Sequence, residues 1–171
     1  MNFHVLDVGC GGDPQGDVNV DAFPHDRKQY FYEWQPKSVS NFVLADAHYL
    51  PFRNKTFEKI VCSHVLEHLT NPLVALKEMA RVCNGTVEIY VPSQFCLDTS
   101  ETHIFTWNPL TLKNLAKKVF NHVEVNYSSD IRLFGRSKIQ KWLPFLNLLL
   151  SKLNIRPELQ AYMKNLKKNE A

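Results

Sequence analysis

The stretch that decides the fold is Phe3-His-Val-Leu-Asp-Val-Gly-Cys-Gly-Gly-Asp-Pro14, followed closely by Asn19-Val-Asp21. Phe3 to Val8 is a short apolar, β-branched run that ends at glycine, which predicts a buried strand. Glycines fill most of positions 9–12, where bare backbone N–H groups let a ligand approach closely. Asp21 ends a second apolar run, from which a carboxylate can bind a ribose diol. A glycine turn beside a strand-end acid predicts a nucleotide-binding site.

The spacing in this stretch disfavours a dinucleotide site. That site needs G-x-G-x-x-G with an acid about 20 residues further on. Here the last glycine is missing and Asp21 comes 10 residues after Gly11, so a nicotinamide-dependent enzyme is disfavoured. The connection Gly9 to Asp17 has only 9 residues, whereas parallel neighbours usually need a crossover of about a dozen or more. We therefore expect at most one helical turn there.

The next part of the chain predicts an open α/β sheet. Asn41–Asp46 and Thr56–Ser63 are apolar runs of strand length, and Thr86–Val91 is another. Asn71-Pro72 predicts a helix start, because Asn is a good N-cap and Pro suits the first helical position. Asn84-Gly85 predicts its end. Strands with acids and glycines at their carboxyl ends are typical of a mostly parallel sheet with a ligand site at that edge.

The last third predicts a helix and a terminal antiparallel hairpin. A helix is expected from Asn108, His122–Tyr127 alternates like a strand, and Ile131–Phe134 is its expected partner. Beyond it, the run from Ser137 is strongly apolar with interspersed lysines. We divide the chain into a domain over residues 1–136 and a basic apolar helical tail over residues 137–171, packed on or beside that domain.

Composition places the protein in an ordinary class. Its 171 residues are 44% hydrophobic and 22% charged, as in a soluble globular domain. The cysteines are scattered and no secretory leader is evident, so we expect a cytoplasmic protein with reduced thiols. Residues 1–129 carry 11 Lys and Arg against 14 Asp and Glu, and residues 130–171 carry 9 against 3. The basic end predicts either an acidic partner or a solvated helix face.

Several ordered motifs together resemble one family. Asp7-Val-Gly-Cys-Gly-Gly resembles the first motif of class I S-adenosylmethionine-dependent methyltransferases. Asp46-Ala-His-Tyr-Leu-Pro-Phe52, His64-Val-Leu-Glu-His-Leu69 and Leu76-Lys-Glu-Met-Ala-Arg-Val82 are similar to the small type 11 methyltransferase domain. The resemblance runs from about Val5 to Ser93. It implies a Rossmann-like class I fold, mostly parallel with a C-terminal antiparallel hairpin and a shortened first helix, and S-adenosylmethionine as cofactor.

The resemblance also implies which residues contact the cofactor. In that family the acid after the third strand accepts from the adenine amino group, which implies this role for Asp46, with the Ala47 N–H facing the ring. Alternatively, Asp46 caps the next turn. The full set of cofactor-binding residues expected from the resemblance is Asp7, Gly9, Cys10, Gly11, Asp21, Ala22, Asp46, Ala47 and Ser63.

Two histidines are candidates for the acceptor side. His64 follows the fourth strand, where the family brings cofactor and acceptor together, and a neutral imidazole can take a hydroxyl proton near physiological pH. His103, in a loop after the fifth strand, is the second catalytic candidate, with a surface histidine as the alternative. His64 and His68 flank Glu67, but the order differs from H-E-x-x-H. No third ligand is obvious, so we expect no metal, and a structural role for His68.

The predicted activity is methyl transfer from S-adenosylmethionine to an oxygen or nitrogen of a small-molecule, glycan or lipid acceptor. Nucleic acid is disfavoured because no RNA-binding module is appended. Contact of the tail with a membrane surface or a second copy remains open. The alternatives are a non-catalytic S-adenosylmethionine-binding accessory subunit, and an RNA or protein methyltransferase.

Overall fold

A computed structural model describes residues 4–22, 35–94, 101–127 and 158–165. Over these residues the backbone forms one seven-stranded sheet in the order β3-β2-β1-β4-β5-β7-β6. The strands are β1 (Val5–Val8), β2 (Val18–Asp21), β3 (Phe42–Leu44), β4 (Phe57–Ser63), β5 (Cys83–Pro92), β6 (His122–Tyr127) and β7 (Glu158–Lys164).

The first five strands run parallel, and β7 is antiparallel to both β5 and β6. The carboxyl ends of β1 to β5 therefore meet at one edge, where open α/β sheets bind ligands. Because β7 runs the other way, its first residue, Glu158, lies opposite Pro92 at the same edge. Strand β7 thus contributes its first residue to the ligand edge. This is the mostly parallel sheet with an antiparallel end that the sequence predicts.

Two helices flank the sheet, α1 (Pro72–Val82) and α2 (Pro109–Ala116). The side chain of Asn71 accepts from the N–H of Val74, and Asn108 accepts from the N–H groups at the start of α2. The predicted N-cap Asn71 is therefore confirmed, and the helix expected from Asn108 begins there with Asn108 as its N-cap. Neither helix, nor any other in the described residues, is long and apolar enough to cross a membrane.

The end of α1 differs from the prediction. Asn84 and Gly85 lie inside β5, which begins at Cys83 directly after the helix. A Cβ on Gly85 would collide with the carbonyl oxygen of Glu58 on β4. This glycine therefore permits close approach of two strands rather than the end of a helix.

The connection from β1 to β2 contains no helix in residues 9–17, in agreement with the predicted shortening. The N–H groups of Gly9 and Cys10 both donate to the Val20 carbonyl, at 2.8 and 3.0 Å, and the N–H of Asp17 donates to Val5. Backbone bonds between the two strands thus replace the usual crossover helix.

The C-terminal strand is the main departure from the sequence prediction. Glu158–Lys164 was expected within a helical tail, and for these residues that expectation is wrong. Leu159, Ala161 and Met163 are fully buried and alternate with more exposed residues, which is the period of a strand. The expected hairpin partner of β6, Ile131–Phe134, lies outside the described residues, as do residues 137–157, so the domain boundary at residue 136 stays a prediction.

Candidate active site

The glycine turn after β1 is shaped by backbone conformation and by the loop after β4. Gly9 and Gly11 have φ of +77° and +51°, which glycine adopts at little cost. A Cβ on Gly9 would collide with the Cγ2 of Val65. Gly9 therefore lets the turn after β1 pack directly against the loop after β4. The predicted cofactor turn and the predicted acceptor loop are in contact through this pair.

Two buried acids lie beside this turn. The Gly11 N–H donates to Asp21 Oδ2 at 3.1 Å, and the Gln15 N–H donates to Asp7 Oδ2 at 2.7 Å. Both carboxylates are 3% exposed. Burial raises the pKa of Asp7 to about 6; the bond from Gln15 lowers it in part, and the charge of Asp21 raises it further. A buried carboxyl whose pKa is raised, as that of Asp7 is, would be stabilised in its charged form by a ligand with positive charge.

Cys10, between the two glycines, is buried, and burial raises the pKa of its thiol to about 12. It stays protonated and is no nucleophile. Ala22 follows Asp21 and is half-buried, and Ser63 is the last residue of β4 and is also half-buried. These positions at strand ends agree with the sequence expectation, while their contacts with a cofactor stay predictions.

Asp46 caps its own turn. Its Oδ1 accepts from the N–H of His48 at 2.8 Å and lies 2.6 Å from His48 Nδ1, and the Tyr49 N–H donates to the Asp46 carbonyl. This is the capping arrangement that the sequence offered as the alternative. Ala47 is buried at the same loop. The adenine-binding role of Asp46 and Ala47 stays a prediction.

His64 lies between two buried carboxylates. Its Nε2 is 3.1 Å from Glu158 Oε1 and its Nδ1 is 3.4 Å from Glu67 Oε1. Glu67 and Glu158 are 0% and 1% exposed. Burial alone lowers the pKa of His64, but its contacts with Glu158 and Glu67 outweigh burial and raise it to about 9. His64 is thus an imidazolium at neutral pH in this arrangement, whereas a general base must be neutral.

The backbone of His64 is also unusual, with φ of +55°. A residue with a side chain adopts this region rarely and at a cost. The N–H of His64 donates to the Tyr90 carbonyl on β5 at 2.9 Å, which holds the strained turn. Strain of this kind clusters at functional sites.

His103 lies beside His68, with ring centroids 4.6 Å apart and planes at 74°. His68 Nδ1 is 3.2 Å from the Thr102 carbonyl. The Glu67 carbonyl accepts from the N–H groups of Ile104 and Phe105 at 2.7 and 3.2 Å. Burial lowers the pKa of His68, which favours its neutral form. The loop 101–105 is therefore fastened to the 3-10 turn Leu66–His68.

The structure places the two predicted catalytic candidates near two buried glutamates, Glu67 and Glu158, that the sequence did not single out. His64 precedes Glu67 in the sequence and His103 follows it, and both lie near the Glu67 side chain. Glu67 stood in the H-x-x-E-H run without an assigned role. Glu158 lay in the expected helical tail, where no sequence signal connected it to His64.

Fold and edge together define a class. An open sheet with a terminal antiparallel pair, a glycine turn and acids at the ends of β1 and β2 is the architecture of the class I S-adenosylmethionine-dependent methyltransferases, and this chain belongs to that class. Within it, residues 6–90, about half of the chain, match the family described as "Methyltransferase domain" (type 11). The match and the fold together identify a methyltransferase domain whose cofactor is S-adenosylmethionine.

Comparisons with individual proteins agree with this class. A tRNA U34 carboxymethyltransferase from Nautilia profundicola is 24% identical over 151 residues, which are 79% of this chain and 50% of that protein. A methyltransferase structure from Archaeoglobus fulgidus has a TM-score of 0.64 at 22% identity, covering 95% of this chain and 86% of the other. One from Thermotoga maritima has a TM-score of 0.66 at 12% identity, covering 97% and 84%. The solved structures establish the fold.

The comparison corrects the expected acceptor. A small-molecule, glycan or lipid acceptor was favoured over nucleic acid, and that ranking is wrong, because the curated relative is named for tRNA. The ranking relied on the lack of an appended RNA-binding module. That lack carries no weight, since the chain spans about half the length of the curated relative it matches. The expected tail contacts with a membrane surface or second copy are withdrawn with it, and β7 pairs within the sheet.

Proposed function

We propose that this protein transfers a one-carbon group from S-adenosylmethionine to RNA, with tRNA as the first acceptor to test. We base the choice of acceptor on the similarity over 151 residues to a tRNA U34 carboxymethyltransferase. Two features of this chain support it. Residues 130–171 hold 9 Lys and Arg against 3 Asp and Glu, and basic segments attract phosphate backbones. Tyr49, in the loop after β3, is 77% exposed.

The exposed Tyr49 ring is suited to a nucleobase. It follows the Asp46 turn at the carboxyl edge of the sheet, on the side where the ligand crevice lies. Aromatic side chains bind unstacked bases with about 1–3 kcal/mol per base. We assign Tyr49 to acceptor binding.

On the cofactor side we assign the residues that surround the glycine turn. Asp21 holds the turn through Gly11 and offers a carboxylate for the ribose, and Asp7 offers a negative charge near the cofactor's cationic end. When bound, S-adenosylmethionine supplies an electrophilic methyl group on a sulfonium. The protein mainly has to align this group with the acceptor and exclude water. Cys10, Ala22, Asp46, Ala47 and Ser63 complete the proposed pocket wall.

On the acceptor side we assign His64 and His103. Both follow strands whose ends face the crevice, and the contact of Gly9 with Val65 brings the His64 loop against the cofactor turn. The two buried glutamates hold the His64 ring in one orientation. We assign His64 to positioning the acceptor, in place of proton removal by a neutral imidazole.

The test is transfer of labelled methyl from S-adenosylmethionine to deproteinised bulk tRNA, with a protein-free extract of small molecules as the second acceptor. We expect label in tRNA, lost in Asp21→Asn. Tyr49→Ala should raise the KM for tRNA roughly 5-fold or more, whereas Tyr162→Ala, an exposed tyrosine on β7, should not. Label in the small-molecule fraction and none in tRNA would contradict the acceptor. Cofactor binding with no transfer to either would favour an accessory subunit.

A further inference from the structure

A compact group of metal-ligating side chains lies beside the proposed acceptor site. Glu67, His68 and His103, which we call the Glu-His cluster, each offer one ligand atom, and these atoms all lie within 4.8 Å of one another. Ligands of a transition metal at about 2.1 Å stand roughly 3.4 Å apart in a tetrahedral site. Shifts of about 1 Å in the ligand atoms, produced by rotating the side chains, would therefore suffice to bring all three atoms within bonding distance of one ion. Two imidazoles and one carboxylate form a set that binds catalytic zinc and similar metals.

The carboxylate of Glu67 is the strongest indication of a missing ligand. Its side chain is completely buried, and among the described residues neither carboxylate oxygen has a hydrogen-bond partner. Its contact with His64 Nδ1, at 3.4 Å, is an ion pair without hydrogen-bond geometry. Buried carboxylates are normally bonded or bound to metal, because desolvation is costly. A buried carboxylate that has no hydrogen bond and lies within 4.8 Å of a ligand nitrogen of each of two imidazoles fits a cation.

The residues next to Glu67 also indicate that a ligand is missing here. Glu67 and Glu158 are both buried, and His64 lies between them as their shared partner. Glu158 Oε2 also lacks a partner among the described residues. An ion bound at Glu67 would give its buried carboxylate a partner that the described residues do not provide.

The backbone around the cluster is arranged as at metal sites. The Thr102 carbonyl lies 3.2 Å from His68 Nδ1, so that nitrogen donates and Nε2 is left to face the cluster. Metal-binding histidines nearly always donate their second N–H to a carbonyl or carboxylate. The Glu67 carbonyl accepts from the N–H groups of Ile104 and Phe105, which fixes the loop that carries His103. All three ligands are thus held by one network.

We propose that Glu67, His68 and His103 bind one divalent transition-metal ion, of the Zn²⁺, Mn²⁺ or Co²⁺ type. Two imidazoles favour these ions over Mg²⁺ and Ca²⁺, which prefer oxygen ligands. With three protein ligands, coordination positions remain for a water or an acceptor atom. An ion here would act as a Lewis acid on the acceptor, and this role rests on the proposed function. The binding itself does not.

Metal binding is measured on the full chain without cofactor or RNA, so its outcome is independent of methyl transfer. After removal of metals with a chelator, Zn²⁺, Mn²⁺ and Co²⁺ are titrated by calorimetry. We expect one ion per chain and an affinity reduced about 10- to 100-fold or more in His68→Ala and His103→Ala. His122→Ala is the matched control, because His122 also lies 3.1 Å from a glutamate, Glu124, but on the exposed strand β6. It should bind as the parent does.

Circular dichroism of each variant shows whether it folds. A second measurement requires no variant: proton NMR of the Co²⁺ form should show two strongly shifted imidazole N–H signals, one from each histidine ligand. Absence of stoichiometric binding by the parent chain overturns the proposal. So does unchanged affinity in folded His68→Ala and His103→Ala, or a Co²⁺ spectrum without shifted imidazole signals.

Discussion

His64 Nε2 lies 3.1 Å from Glu158 Oε1, although the two residues are 94 positions apart in the sequence. The first follows β4 and the second begins β7, so the contact exists only because β7 runs antiparallel to β5 and starts at the ligand edge. The C-terminal strand therefore has two roles. It completes the sheet, and it supplies a buried charge that holds a proposed active-site residue.

The contact between His64 and Glu158 predicts that replacing His64 lowers turnover without weakening cofactor binding. In His64→Gln the ring and its two ionic contacts are lost, so the acceptor is no longer held. We expect binding of S-adenosylmethionine within a few-fold of the parent and turnover lower by about 100-fold, the cost of losing alignment of the acceptor. Steady-state rates with tRNA and calorimetry with the cofactor measure the two effects. His122→Gln, which removes the exposed His122–Glu124 pair, should change neither, and a His64→Gln enzyme with the parental rate would show that His64 is only structural.

Placement of β7 in the sheet predicts an alternating pattern of stability. Met163 is fully buried between β5 and β6, while its neighbour Tyr162 is 36% exposed. Met163→Ala should lower the free energy of unfolding by about 2–5 kcal/mol, because it leaves a cavity. Tyr162→Ala should change it far less. Urea denaturation measures both, and equal small effects would be inconsistent with a core strand here.

Local signals predicted local structure well. Asn71 and Asn108 specify their helix starts through bonds to residues two or three positions away, so the sequence alone suffices. The strand-end acids Asp7 and Asp21 were likewise placed correctly at the edge, because a run of apolar residues ends beside them. Asp46 shows the limit of such reasoning: an acid at a strand end can also cap the next turn, and here it does.

Contacts between distant segments could not be predicted. Glu158 is separated from His64 by most of the chain, and the leucine-rich sequence before it suggested one continuous helix. The period-two alternation of Leu159, Ala161 and Met163 was a strand signal within that segment. His103 is 35 positions after His68, and bonds from loop 101–105 to Glu67 and His68 hold the two rings together. For this reason a third metal ligand was not evident from the sequence.

Asp7 predicts a pH dependence of stability. Burial raises its pKa in the folded protein to about 6 from an ordinary value of 3.8, so the folded state keeps the proton to higher pH than the unfolded state. This group therefore stabilises the fold least above about pH 6, and its ionisation should cost about 3 kcal/mol between about pH 4 and 7. Asp7→Asn cannot ionise. As pH rises across that window, the stability of Asp7→Asn relative to the parent should therefore increase. Urea denaturation at several pH values measures this difference in the free energy of unfolding.

Asp17 is the matched control with the opposite sign. Hydrogen bonds from the N–H groups of Val5 and His4 lower its pKa, so its charged form stabilises the fold at neutral pH and that contribution is lost as pH falls. The free energy of unfolding of Asp17→Asn, relative to that of the parent, should therefore decrease as pH rises. If the stability difference from the parent changed with pH in the same direction for both variants, the pKa of Asp7 would not be raised by burial.

The most direct test of the site is calorimetric titration of S-adenosylmethionine into the parent, Asp21→Asn and Asp17→Asn. The amide that Asp21→Asn introduces keeps an oxygen for the Gly11 N–H but loses the charge offered to the ribose. Loss of a charged hydrogen bond costs about 1.5–3 kcal/mol. We predict one cofactor per chain, an affinity roughly 10- to 100-fold lower in Asp21→Asn, and no change in Asp17→Asn. Equal affinity in all three folded proteins would contradict a cofactor site at the ends of β1 and β2.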